Sequence, residues 1–104
     1  MPELLTFVAR IKARPGQEAA LKETLLSLIK PTHAETGCVQ YDLHQSSEDP
    51  ALFLFYENWT GEAALSAHLQ SPHVQKALAA AGPFLAAPPE FLKLKRLNPP
   101  KAAK

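Results

Sequence analysis

At 104 residues the chain is long enough for one hydrophobic core and too short for a substrate domain beside a separate cofactor domain, so a site lies within one small fold or between copies of it. With 11 Lys+Arg against 10 Asp+Glu the net charge is +1, and the basic residues are scattered apart from Lys93, Lys95 and Arg96, which speaks against nucleic-acid and acidic-membrane partners. The single cysteine, Cys38, cannot form an internal disulfide, which agrees with a reducing compartment; with no nucleophile signature around it, it reads first as a small buried hydrophobe.

The opening "MPELLTFVARIKARPG" carries Glu3 and no basic segment ahead of a long apolar run, so neither a signal peptide nor a membrane span is expected, and the expected location is cytoplasmic. Residues 4 to 12 set Leu5, Phe7, Ala9 and Ile11 against Thr6, Val8, Arg10 and Lys12, the period of a half-buried strand, which "RPG" ends. From Gln17 to about Ile29 the residues Leu21, Leu25 and Leu28, with Ala20 and Ile29 beside them, recur at helical spacing, and Pro31 is expected to stop the helix. After the turn "TG", "CVQYDLHQ" alternates Val39, Tyr41 and Leu43 with Gln40, Asp42 and His44, a second strand.

"SSEDP" at 46 to 50 makes a loop. The third strand, "ALFLFYENW", has Leu52 and Leu54 on one face and Phe53 and Phe55 on the other, so both faces need cover. Thr60 is the expected cap of a helix running to about Gln70 and broken or kinked at Pro72. Its continuation "HVQKALAAAG" ends at Gly82, ahead of Pro83. In "EFLKLKRL" Leu92 and Leu94 alternate with Lys93 and Lys95, a fourth strand. "NPPKAAK" has nothing apolar to bury beyond its alanines, which divides the chain into a domain over 1–97 and a flexible tail over 98–104.

Strand, helix, strand, strand, helix, strand is the order of a ferredoxin-like α+β fold, a four-stranded antiparallel sheet with both helices on one face. The other face is left bare. Since the third strand is apolar on both sides, the expected cover is a second copy packed sheet to sheet, a homodimer forming an α+β barrel.

"FYENW" followed by "EAALSAHLQSPHV" resembles the YExW…A…H…SPHf pattern of the antibiotic biosynthesis monooxygenase domain, a family of small dimeric α+β-barrel proteins that includes quinol monooxygenases. The opening strand, the "RPG" turn, "ETGCVQYDLHQ" and "FLKLKRL" also sit where that family has them, so the likeness covers about residues 3 to 97. The resemblance implies a monooxygenase that uses no flavin, haem or metal: a quinol- or anthrone-like aromatic is deprotonated and its anion reacts with O2 directly. Such a site needs an apolar cavity, a base, and donors for the oxyanion. The chain has no GxGxxG and no GxxxxGK[ST], which disfavours a nucleotide-dependent enzyme.

Each candidate also has an ordinary structural reading. Trp59, on one strand face with Phe55 and Glu57, is either a core aromatic or a pocket wall whose indole N–H meets substrate. Tyr56 and Asn58 share the other face, so on a regular strand they compete with Glu57 and Trp59 for one cavity. His68, on the second helix with Ala64, Leu65 and Leu69, reads as a boundary residue by itself; it also matches the family's helix histidine, which implies a general base or hydrogen-bonding group. His73, after Pro72, is a cap or a ligand contact. His44 shares a strand face with Gln40 and Asp42, first of all a polar stripe, with substrate contact as the alternative. Catalytic candidates are therefore His68, Trp59, Asn58 and Tyr56, with Phe55, Glu57, Leu65, His73 and His44 as substrate contacts. His68 and His73 lie five apart across a proline, which is no usual metal-ligand spacing, and no metal site is expected.

Three other functions compete. Haem degradation, the activity of a related branch, uses a Trp and a helix His placed similarly to Trp59 and His68, but it also uses an Asn on the first strand, where this chain has Thr6 and Arg10. An isomerase acting on a small phosphorylated sugar would need more basic residues nearby. A non-catalytic dimeric protein could hold an aromatic ligand without turning it over.

Overall fold

In the computed structural model, which describes residues 4–101, the elements follow in the order β1 (Leu5–Lys12), α1 (Glu18–Leu26), α2 (Ile29–His33), β2 (Cys38–Gln45), β3 (Leu52–Trp59), α3 (Glu62–Leu69), α4 (Pro72–Ala81), a 3-10 turn (Gly82–Phe84) and β4 (Glu90–Leu94). The strands form one antiparallel sheet in the order β2-β3-β1-β4, the ferredoxin-like arrangement. Residues 1–3 of the expected domain and 102–104 of the expected tail lie outside the described residues.

β1 and β3 are paired in unbroken register from Leu5 opposite Trp59 to Lys12 opposite Leu52. Period-two alternation then fixes the faces. Phe7, Ala9, Ile11, Phe53, Phe55, Glu57 and Trp59 point toward the helices and are buried. They meet Leu21 and Leu25 of α1, Leu28, Leu65 of α3, and Val74, Ala77 and Ala81 of α4 in a single core. Thr6, Arg10, Leu54, Tyr56 and Asn58 point the other way.

The helices differ from expectation at three places. Pro31 does not end the first helical segment: the chain bends at Ser27 and Leu28 and starts α2, whose first turn has no intrahelical use for the N–H that proline lacks, so Pro31 fits there. Thr60 does not cap α3; Gly61 holds that position and its neighbour's backbone N–H bonds instead to Gly37 O at 3.0 Å. Pro72 opens α4 at its first position, with Ser71 as the cap accepting from Val74 N, so the expected break is a junction between two helices.

Two strand details also change. A bulge between Cys38 and Gln40 takes Val39 out of the alternation and leaves it 52% exposed. The last strand ends at Leu94, three residues short of the expected end, because β1 begins at Leu5 and Thr6 is the last residue it pairs with β4. Beyond the 3-10 turn, Ala86 N bonds to Lys12 O and Arg14 N to Phe84 O, both within 2.9 Å, which ties this segment along the end of β1.

Candidate active site

Between the helix-facing side of the sheet and α1, α3 and α4 lies a cleft walled by Phe7, Ala9, Leu25, Phe55, Ala77 and Phe91. The cavity volume is about 60 Å³, and the unfilled space is about 570 Å³ when the open solvent at the mouth is counted. The mouth residues Leu78 and Phe91 are 43% and 51% exposed, and Phe91 stacks on Phe7 at 5.7 Å between ring centres. A flat ring entering here would have to part these side chains, since the cavity behind them is small.

Three polar side chains interrupt the apolar wall: Glu57, His68 and Tyr41. Glu57 and Tyr41 are opposite each other across β3 and β2, so both reach the cleft from the sheet floor. Trp59, two residues along the same face, donates its indole N–H to Glu57 Oε1 at 2.9 Å. Burial pushes the Glu57 carboxyl up to about 7, partly offset by that indole donor, so the group exchanges its proton near neutrality. Tyr41 stacks on Phe55 at 4.7 Å and lies edge-on to His68 at 5.3 Å; burial, with the Glu57 carboxylate beside it, pushes its phenol far above the usual value, so the hydroxyl stays protonated.

His68 comes from the last turn of α3, 3% exposed, with its ring 4.6 Å from that of Trp59. Its Nδ1 lies 2.7 Å from Oε2 of Glu35, which reaches in from the turn after α2. Burial lowers the pKa of His68, against the pull of Glu35, so the contact is a neutral N–H donated to a carboxylate. A carboxylate oxygen only accepts, which puts the proton on Nδ1 and leaves Nε2 as a free acceptor. His68 lines the cleft and Glu35 does not. His73, at the second position of α4, places Nε2 2.8 Å from the same Glu35 oxygen.

The regular register of β3 settles the competition between its faces. Phe55 and Glu57 line the cleft and Trp59 stands behind Glu57, whereas Tyr56 and Asn58 lie on the far side of the sheet, away from His68. Asn58 is bound there, accepting from Thr6 Oγ1 at 2.6 Å and donating to Gln40 Oε1 at 2.9 Å. His44 is exposed on that same far face, opposite Leu54. Leu65 is a core residue at 1% exposure, outside the cleft wall, and His73 also lies outside it, bound to Glu35 with its ring 6.0 Å from that of His68. Thr6 and Arg10 also face away, so β1 presents only apolar side chains to the cleft. Glu35 and Tyr41 are the members that sequence reasoning missed. Tyr41 sits in the apolar phase of an alternating strand, and Glu35 in a turn without periodicity.

The sequence model of the family described as antibiotic biosynthesis monooxygenase matches residues 4–80. The protein Rv0793 of Mycobacterium tuberculosis, named provisionally as a monooxygenase, is 38% identical over 88 residues, 85% of this chain and 86% of that protein. Its solved structure superposes with a TM-score of 0.87, covering 94% of this chain and 99% of that one. The crystal structure of PA3566 from Pseudomonas aeruginosa is 38% identical with a TM-score of 0.88, covering 94% and 98%. YgiN of Escherichia coli, named provisionally as a quinol monooxygenase, is 30% identical over 82 residues, 69% of this chain and 79% of that protein.

Proposed function

The chain belongs to the antibiotic biosynthesis monooxygenase family, and from that premise we propose that it is a cofactor-independent monooxygenase oxidising a quinol- or anthrone-like aromatic with O2. One observation carries the reading: a buried imidazole, held through Nδ1 by Glu35, lines a largely apolar cleft, and its other nitrogen, Nε2, is the base we assign to an aromatic bound there. Two of its relatives are named provisionally as monooxygenases, one of them for quinols.

His68 Nε2 takes the hydroxyl or ring C–H proton of the substrate. The anion passes one electron to O2, and the superoxide and carbon radical so formed combine into a peroxide that takes a proton from Glu57. Loss of water breaks the O–O bond and leaves the second oxygen as a carbonyl. Transfer of the proton from His68 back to Glu57 through that water restores the site, so substrate and O2 give quinone product and one water. Trp59 acts by holding Glu57 Oε1.

We include a homodimer in the proposal. The far sheet face carries Leu92 and Leu94, 52% and 44% exposed, beside the half-buried Leu52, Leu54 and Tyr56, an apolar surface that a second sheet would cover. Among the described residues no helix is long and apolar enough to cross a membrane.

The test is oxygen uptake by chelator-treated protein with reduced naphthoquinols and anthrone-like phenols, corrected for spontaneous oxidation, with His68→Ala in parallel. Uptake that depends on the protein and falls in the variant is the expected result. Tight binding of these aromatics with no uptake above background would replace the proposal with a ligand-binding role.

A further inference from the structure

Glu35, His68 and His73 converge from three separate segments, the turn after α2, the end of α3 and the start of α4. One carboxylate oxygen, Glu35 Oε2, sits 2.7 Å from His68 Nδ1 and 2.8 Å from His73 Nε2. One donor atom from each of the three side chains lies within 4.8 Å of the others. We propose that these three residues form a site for one divalent transition-metal ion of the zinc type, and that the ion, once bound, reverses the hydrogen-bonding sense of His68 in the cleft.

Two imidazoles and a carboxylate suit zinc and its neighbours in the first transition row better than magnesium or calcium, which want all-oxygen shells. Bonds of about 2.0 to 2.2 Å bring three such donors onto one ion after small side-chain rotations. The α3–α4 junction makes this possible where a continuous helix would not: Ser71 caps α4 and Pro72 opens it, so His73 turns back toward the end of α3. His68 is nearly inaccessible at 3%, whereas Glu35 and His73 are 19% and 24% exposed, so the ion can enter from their side. A shallow groove bordered by Glu35, Gly37, Ala64 and Ser71 opens there. Ser71 Oγ, 3.3 Å from His73 Nε2, stands next to the remaining coordination positions, which water can fill.

The consequence reaches the cleft through the His68 tautomer and rests on the proposed base role. An ion on Nδ1 takes the lone pair of that nitrogen, so the ring proton moves to Nε2, which changes from acceptor to donor. A His68 in that form cannot accept the substrate proton, and zinc becomes an inhibitor of the proposed reaction.

The experiment is calorimetric titration of zinc chloride into the chelator-treated full chain, with His73→Ala, Glu35→Ala and His44→Ala checked for folding by circular dichroism. One ion per chain is expected in the wild type and in His44→Ala. The two ligand variants should bind at least about 10- to 100-fold more weakly, the loss seen even for outer-shell changes. Nitrogen-15 spectra of the wild type give a reading that needs no variant: zinc should remove the proton from His68 Nδ1 and place one on Nε2. Absence of stoichiometric binding, undiminished binding by a folded His73→Ala, loss in His44→Ala, or an unchanged His68 tautomer would each overturn the site. Zinc binding without quinol oxidation would leave the metal site standing and remove the activity; oxidation without zinc binding would do the reverse.

Discussion

His68 and Glu35, 33 residues apart in sequence, meet at 2.7 Å between Nδ1 and Oε2, and this contact decides which nitrogen of the imidazole carries the proton. The two residues should therefore fail differently. His68→Ala removes the base and is expected to lower kcat by about 10² to 10⁴. Glu35→Gln keeps the shape but can offer an amide N–H to Nδ1, favouring the tautomer with its proton on Nε2. Its kcat should fall with KM little changed, and Glu35→Asp should recover part of the loss. Steady-state kinetics with nitrogen-15 spectra of His68 check this; a Glu35→Gln protein with wild-type kcat and tautomer would show that Glu35 only braces the fold.

Glu57 is a stability liability that titrates. Its folded-state value, about 7, lies above the ordinary 4.5, so between those limits the folded chain holds a proton that the unfolded chain has lost. Stability thus falls as pH rises through that window and stays lowered above it, by up to about 3 kcal/mol if the whole shift is realised. Glu57→Gln mimics the protonated form and can still accept from Trp59. Urea unfolding should show the variant close to wild type near pH 4.5 and the more stable of the two near pH 8. A stability difference that does not change with pH would mean that Glu57 is ionised in the fold at no cost.

Strand phase explains how much of this was legible in the sequence. The alternation in "LTFVARIK" and "LFLFYENW" gave the faces of β1 and β3, and an intact register made Glu57 inward and Asn58 outward, a choice that period alone could not make because the cavity side was unknown. His68 was visible because it lies on a helix beside Leu65 and Leu69. Glu35 was not, because a residue in a turn acquires its partners from the packing of α2 against β2 and of α3 against α4, and neither leaves a local pattern. The bulge at Val39 was hidden for a similar reason: it inserts one residue without disturbing the polar and apolar order that follows.

Gly37 supports the turn that delivers Glu35. A Cβ added there would run into Ala64 Cβ on α3 and lie 2.9 Å from Thr60 Oγ1, while Gly37 O accepts from Thr60 N at 3.0 Å. Neither obstacle is the far end of a flexible side chain, so the turn or α3 must move. Gly37→Ala should cost about 1 to 3 kcal/mol of stability, the range for overpacked sites. It should also loosen the Glu35–His68 contact, lowering turnover in protein that is still folded. Denaturant midpoints with kinetics at low temperature test both parts, and a wild-type midpoint would mean that the turn gives way freely.

The far face of the sheet gives the last prediction. Leu54 lies at the middle of β3, half-buried in the single chain and flanked across the ladder by Arg10 and His44, so its environment there is an apolar stripe bordered by polar side chains. Covering that stripe with a second copy would bury Leu54, Leu92 and Leu94 together at the centre of a sheet-on-sheet contact. An arginine at 54 would then put two like charges against each other across the two-fold axis without a partner for either, a penalty large enough to split a dimer of ordinary affinity. Sedimentation equilibrium should give twice the 11.4 kDa chain mass for the wild type and the chain mass for Leu54→Arg, with circular dichroism unchanged. A wild type that sediments as one chain would leave this face uncovered in solution, and a Leu54→Arg protein that stays dimeric would place the contact elsewhere. Because the cleft lies on the opposite face of the sheet and is built from one chain, a folded Leu54→Arg monomer should retain aromatic binding, which separates assembly from chemistry.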